Sequence, residues 1–217
     1  MTDQGDAMSD QQPELGSQQF WDERYGAHEH VWSGNVNHFV GQEAAELTPG
    51  TALDLGCGEG ADAIWLAQRG WQVTAVDLSP VALTKAAREA EKSGVADRIA
   101  FEHHDLREAF PAGSFDLVSA QFIHPPAESV SPLLAQAAGA VAPGGTILIA
   151  NHRSFPSFVI EPEHDVHFPD EDEVIAAITS SGGEWDLVRT EEITREVTAP
   201  DGQAGTHTDF VVRMQRR

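Results

Sequence analysis

Hydrophobic positions in this chain follow two rhythms, and the rhythms alternate. Short runs rich in aliphatic residues, "TALDLG" (51–56), "WQVTAVD" (71–77), "RIAFEHHD" (98–105), "SFDLVSAQF" (114–122) and "TILIANH" (146–152), read as buried strands. Between and after them lie stretches whose apolar residues recur every three or four positions: "GADAIWLAQRG" (60–70), "SPVALTKAAREAEKSG" (79–94), "VSPLLAQAAGAVAPGG" (130–145) and "DEDEVIAAITSSGG" (170–183). These read as helices, with Ser79 as a cap before Pro80, Gly94 as a terminator, and Asp170 as a cap whose box Glu173 completes. Two further strands, "EWDLVRTEEITREV" (184–197) and "HTDFVVRMQ" (207–215), are joined by "TAPDGQAGT", too short for a helical crossover. The pattern predicts an α/β fold: a doubly wound, mostly parallel sheet of seven strands that ends in an antiparallel hairpin.

Hydrophobic residues fill 41% of 217 positions, enough for one well-cored domain. That domain is expected over 16–217, behind a disordered acidic tail over 1–15 in which Asp3, Asp6, Asp10 and Glu14 stand without a single Lys or Arg. Such a start is the reverse of a signal peptide, no apolar run approaches the ~18 residues of a membrane span, and a cytoplasmic protein without membrane partners is expected. Thirty-five acids against 13 bases give a formal net charge of −22. That field repels phosphate backbones, which argues against nucleic acid as a partner. The single cysteine, Cys57, excludes an internal disulfide and any multi-cysteine metal site, and between two glycines it reads as a small space-filler.

The chemistry starts at "LDLGCGEGADA" (53–63). Gly56, Gly58 and Ala61 satisfy the dinucleotide fingerprint G-x-G-x-x-G/A, which would lay a pyrophosphate on a helix N-terminus. Gly56, Gly58 and Gly60 form equally well a G-x-G-x-G loop with Asp54 upstream and Glu59 inside it. In doubly wound sheets the ligand sits beyond the carboxyl ends of the strands, and acids stand there: Asp54, Asp77 and Asp105. Asp77 follows the first strand at the spacing of an acid that holds a ribose diol, a contact common to both readings. Asp54 and Glu59 separate them, because they would set negative charge against a pyrophosphate and would welcome a ligand carrying an ammonium and a sulfonium.

With these residues in view the chain resembles the class I S-adenosylmethionine-dependent methyltransferases, over about 20–212. "LDLGCGEG" looks like the family's first motif, "VTAVDLSP" its second, "HHDL" its third and "FDLVSAQF" the strand of its fourth. The resemblance implies a Rossmann-like sheet and S-adenosylmethionine as cofactor. It implies that Asp54, Gly56, Cys57, Gly58 and Gly60 receive the methionine half and Asp77 with Leu78 the ribose. It further implies that Asp105 and Leu106 meet the adenine and that Gln121 lines the methionine end. Upstream, "FWDERYGAHEHVWSG" is similar to the segment before the core in small-molecule methyltransferases of the thiopurine and tellurite-resistance type. It offers Trp21, Tyr25 and Trp32 as a lid over the cofactor or, alternatively, as a packing helix.

On the acceptor side, His124 in "QFIHPP" and His152 after "TILIAN" are candidate general bases for an oxygen nucleophile. Acidic surroundings are expected to favour the protonated form of His124. The run His124-Pro125-Pro126 does not make the base-binding motif of amino-methyltransferases that act on nucleic acid, since it lacks both a side-chain carbonyl and a stacking aromatic. "EPEHDVHFPDEDE" (161–173) holds His164 and His167 among acids, but the acids already suit a helix N-terminus, and no metal site is assigned. The expected function is methyl transfer from S-adenosylmethionine to a small molecule. The alternatives are a nicotinamide-dependent oxidoreductase and a non-catalytic S-adenosylmethionine-binding protein.

Overall fold

Alternate residues of the first strand, β1 (Thr51–Leu55), serve two different cores. Leu53 and Leu55 pack with Val118, Ile147 and Phe210, whereas Ala52 packs with Leu66, Val73 and Leu117. This is the period-two signature of a sheet covered on both faces. The computed structural model that shows it describes residues 13–159, 166–199 and 201–217, so most of the expected tail, and His164, lie outside the described residues.

Around β1 the chain places β2 (Gln72–Asp77), β3 (Ile99–His103), β4 (Phe115–Gln121), β5 (Val141–His152), β6 (Trp185–Thr198) and β7 (Ala204–Arg216) in one seven-stranded sheet of order β3-β2-β1-β4-β5-β7-β6. The pairs from β3 through β5 are parallel, and β7 runs antiparallel to both β5 and β6. The helices are α1 (Gln18–Ala27), α2 (His38–Glu43), α3 (Ala61–Gln68), α4 (Pro80–Lys92), α5 (Ala127–Gly139) and α6 (Glu171–Ser180). Residues of α5 and α6 cover the Leu53 face, and residues of α2, α3 and α4 cover the other. The predicted doubly wound sheet with its terminal hairpin is what forms, and among the described residues no helix is long and apolar enough to cross a membrane.

Several boundaries differ from the sequence reading, each for a local reason. The stretch "VAPGG", expected to end a helix, instead opens β5, whose register against β4 shifts between Phe115 and Leu117 to absorb it. Helix α5 begins earlier, at Ala127, directly after Pro126, whose ring suits a helix entry. Ser79 accepts from Ala82 N and caps α4 as expected, and Asp170 accepts from Glu173 N at 2.8 Å. The capping box is only half made, because the Glu173 side chain turns to His167 Nε2 at 2.9 Å. Helix α2, short and polar at its start, carries no periodic signal; it is held from outside, where buried Glu43 accepts from Arg189 and, at 3.1 Å, from Arg213.

The topology also positions the far end of the chain. Because β7 is antiparallel, its first residues lie at the sheet end where β1, β4 and β5 finish, and Asp209 stands opposite His152.

Candidate functional site

A cavity of about 690 Å³ opens at that end of the sheet. At one extreme it is lined by the glycine loop, with Asp54, Gly56, Cys57, Gly58, Asp62, Asp77 and Leu78. Asp77 holds the loop in shape: its carboxylate accepts from Gly58 N and from Ser79 N, each at 2.8 Å. Burial raises the Asp77 carboxyl, and these backbone donors offset part of that rise. Asp54 lies deeper, with Oδ2 buried and without a hydrogen-bond partner. Burial and the neighbouring Asp62 and Asp77 hold the Asp54 carboxyl well above its ordinary range, and burial lifts Asp62 to about 6. Three carboxyls crowded out of water are unfavourable until a cation joins them. Asp62 is a site residue that the sequence reading missed, because an acid in the first turn of a helix is already explained by the helix dipole.

The loop glycines divide their work. A Cβ on Gly58, whose φ is +52°, would stand 2.9 Å from Tyr25 Oη, so the bare backbone is what lets the tyrosine close over the loop. At Gly60 a Cβ would meet Ala86 Cβ at 2.8 Å, so this glycine serves the packing of α4 on the loop and does not line the cavity. That corrects the expectation that Gly60 faces the ligand. Glu59 is corrected too. It lines the cavity, but its carboxylate accepts from Val31 N at 3.0 Å and Trp32 N at 3.0 Å and pairs with Lys85 at 3.2 Å, so its charge is spent on anchoring the upstream segment. Burial, with Asp77 and Asp54 adding to it, keeps the Cys57 thiol protonated, in keeping with a space-filler.

The upstream segment lies across the cavity, with Trp21, Tyr25 and Trp32 on its wall. Trp32 Nε1 donates to Tyr25 Oη at 3.1 Å, which leaves the Tyr25 hydroxyl proton to donate elsewhere, and burial holds that hydroxyl protonated. Asp22 accepts from Ser79 Oγ at 2.5 Å and Lys85 Nζ donates to His28 O at 2.6 Å, so the strap is tied to α4 at both ends. Asp105 and Leu106 form another wall. Hydrogen bonds from Arg107 hold the Asp105 carboxyl below its ordinary range, and no helix follows for it to cap. Gln121 donates to Ser119 Oγ and Leu148 O, while its Oε1 is buried without a partner.

The opposite extreme of the cavity carries His124, His152 and Arg195. Phe122, at the end of β4 with a φ of +55°, turns the chain sharply and stacks at 4.4 Å on His152. The imidazoles of His124, His152 and His207 form a ladder, with centroids 5.6 Å and then 4.1 Å apart. His124 does not gain a proton from the acidic surface. Burial, then His152 and His207, push it down to about 4, so it is neutral across the physiological range. His152 Nδ1 lies 2.7 Å from Asp209 Oδ1, and Arg195 Nε donates to Asp209 Oδ2 at 2.7 Å. Asp209, Arg195 and His207 were not anticipated, since the rule that places acids at strand ends holds for parallel strands. His152, His207 and Asp209 bring three possible metal ligands within 4.8 Å of one another. Yet the two rings are stacked with planes 24° apart, which sets their lone pairs side by side, and a guanidinium occupies the carboxylate. That arrangement is built for hydrogen bonding and does not suit a cation.

Comparison with known proteins agrees with this geometry. The family model "Methyltransferase domain" matches residues 52–145. Over 131 residues the chain is 32% identical to "Probable tocopherol O-methyltransferase, chloroplastic" of Oryza sativa subsp. japonica, covering 58% of this chain and 35% of that protein. Over 100 residues it is 39% identical to ribosomal protein L11 methyltransferase of Pelotomaculum thermopropionicum, covering 46% of this chain and 31% of the relative. The chain thus spans about a third of the length of these curated relatives. Among solved structures, magnesium protoporphyrin IX methyltransferase from Synechocystis PCC 6803 with bound SAH superposes with a TM-score of 0.64 at 19% identity, covering 82% of this chain and 80% of that one, a likeness of fold. Residues 52–145 thus match a methyltransferase domain, and the seven-stranded sheet with its terminal hairpin is the fold seen in these methyltransferases.

Proposed function

We propose that this protein transfers the methyl group of S-adenosylmethionine to a small-molecule acceptor held at the histidine end of the cavity. The observation that carries the reading is the buried Asp54 Oδ2, without a partner and beside Asp62 and Asp77 in one wall. An ammonium fits that cluster and a pyrophosphate does not, which sets the nicotinamide alternative aside. When bound, the cofactor supplies a methyl on a positively charged sulfur. Asp54 and Asp62 would neutralise the amino-acid end. Asp77, with lone pairs left after its two backbone bonds, would accept from the ribose hydroxyls. Asp105 and Leu106 would flank the adenine, and Gln121 Oε1 would take a donor near the methionine half.

The strap of Trp21, Tyr25 and Trp32 would exclude water, and the walls would hold the acceptor in line, a placement that can supply ~7–11 kcal/mol of a barrier. A small acceptor is supported by the cavity of about 690 Å³, which the acceptor would share with the cofactor, and by the net charge of −22, which disfavours nucleic acid. The reading includes a cytoplasmic location, supported by one cysteine in 217 residues. Calorimetry tests the cofactor: S-adenosylhomocysteine should bind in the micromolar range or tighter and NAD should not. Turnover of methyl-labelled S-adenosylmethionine against pooled small-molecule extracts tests the transfer, and label appearing in no small molecule would refute it.

A further inference from the structure

The carboxylate of Asp209 has two oxygens and both are committed, one to His152 Nδ1 and one to Arg195 Nε, each at 2.7 Å. A carboxylate only accepts, so the proton in the first bond belongs to His152. His152 therefore carries Nδ1–H and keeps its lone pair on Nε2, on a ring that lines the cavity beside His124. The neighbours reinforce this. His207 Nε2 lies 2.9 Å from Ser154 O, which makes it the donor there, and His207 stacks at 4.1 Å without competing for the acid. Burial alone would raise Asp209, but the bonds from His152 and Arg195 hold it below its ordinary range and thus ionised.

We infer that His152 is the general base of this site, that Asp209 is its positioning residue, and that the acceptor is a hydroxyl whose proton must be removed, of the phenol class. This rests on the methyl-transfer reading above and adds the acceptor to it. As the acceptor oxygen forms its bond to the methyl carbon, the carbon–sulfur bond breaks with its electron pair left on sulfur. The hydroxyl proton passes to His152 Nε2 and later to solvent. Imidazoles exchange protons near neutrality. A phenol at ~10 is within reach of such a base, whereas a hydroxyl as weakly acidic as water at ~15.7 is not. A thiolate or a neutral amine can attack without first losing a proton and would have little use for the dyad. Phe122, Ile123 and Pro125 on the same wall suit a flat apolar ring.

Arg195 makes the inference testable. In Asp209→Asn the amide oxygen must face the Arg195 donor, which turns the amide NH2 toward His152 Nδ1 and forces the proton to Nε2. Nitrogen-15 spectra of the histidine rings in the full chain should show His152 protonated at Nδ1 in wild type and at Nε2 in Asp209→Asn. Asp209→Asn with Arg195→Met should return part of the population to the Nδ1–H tautomer, because the amide is then free to turn its oxygen toward His152. With a panel of simple phenols as probe, Asp209→Asn should lower kcat by ~10²–10⁴ and leave the affinity for S-adenosylhomocysteine within about twofold. An Nε2–H tautomer in wild type overturns the dyad, even if Asp209→Asn fails to fold. Absence of any labelled ether from the panel overturns the acceptor class. Failure of S-adenosylhomocysteine to bind wild type would instead sink the methyl-transfer reading and leave the tautomer result standing by itself.

Discussion

Asp62 should be a residue that this protein keeps at the expense of its stability. Its ordinary carboxyl value of 3.8 rises in the fold to about 6, chiefly through burial. Between those two values the folded state holds a proton that the unfolded chain has released, so stability falls as pH rises from about 4 to 6 and stays low above it. The gap corresponds to ~3 kcal/mol at ~1.4 kcal/mol per pH unit. Asp54 shares the same crowding, so neutralising one acid eases the other, and Asp62→Asn should gain ~1–3 kcal/mol at pH 8. The amide oxygen can still accept from Asn37 N, which now donates to Asp62 at 2.6 Å, so the anchor before α2 survives. Urea unfolding of wild type and variant at pH 8 and pH 5 measures the effect, and roughly half the gain should be present at pH 5. Affinity for S-adenosylhomocysteine should move the other way, weakening roughly tenfold or ~1.4 kcal/mol, as one charge is removed from the ammonium's neighbourhood. A variant less stable than wild type at pH 8, or one whose gain does not shrink at pH 5, would refute the reasoning.

Gly58→Ala should destabilise the fold by ~1–2 kcal/mol and weaken S-adenosylhomocysteine binding, since it forces a side chain into left-handed backbone and sets a methyl 2.9 Å from Tyr25 Oη; thermal melts and calorimetry read both. Asp77→Ala should lower the melting temperature as well as the affinity, because it removes the acceptor for Gly58 N and Ser79 N, with ~1.5–3 kcal/mol at stake for each bond to the charged group; an unchanged melt would mean that the loop holds itself. His124→Gln should leave the shape of the pH–rate profile between pH 5 and 9 intact, because His124 has already lost its proton above about 4; a displaced acid limb would show that His124 titrates in the reaction.

What was legible in the sequence came from local physics. Alternating rhythms gave the sheet, and Ser79 and Asp170 gave helix starts, because caps act within one turn. The acids after parallel strands were found by one rule, that ligands gather at carboxyl ends, and that rule put Asp54 and Asp77 on the cavity wall. It failed for Asp209. That residue sits early in a strand, and only the insertion of β7 beside β5 brings it to the same end, across 57 residues of chain from His152. Glu59 was misread for a related reason. A charge inside a glycine turn looks aimed at a ligand, and nothing local reveals that Val31 and Trp32 will arrive to claim it. The drop in His124 was hidden likewise, since net charge describes the surface and His124 is governed by its burial.

The antiparallel placement of β7 also divides the molecule's future. The acids and glycines proposed to hold the cofactor lie between about 54 and 121, whereas Arg195, His207 and Asp209 belong to the hairpin that follows α6. Strand β5 lies between the two sets, and at the cavity end its His152 pairs with Asp209 of the hairpin. On the proposed reading, the acceptor side can therefore be exchanged as a cassette of two strands while the strands that carry the proposed cofactor residues stay as they are. A lineage built this way can try new chemistry at one edge of its sheet without relearning the other.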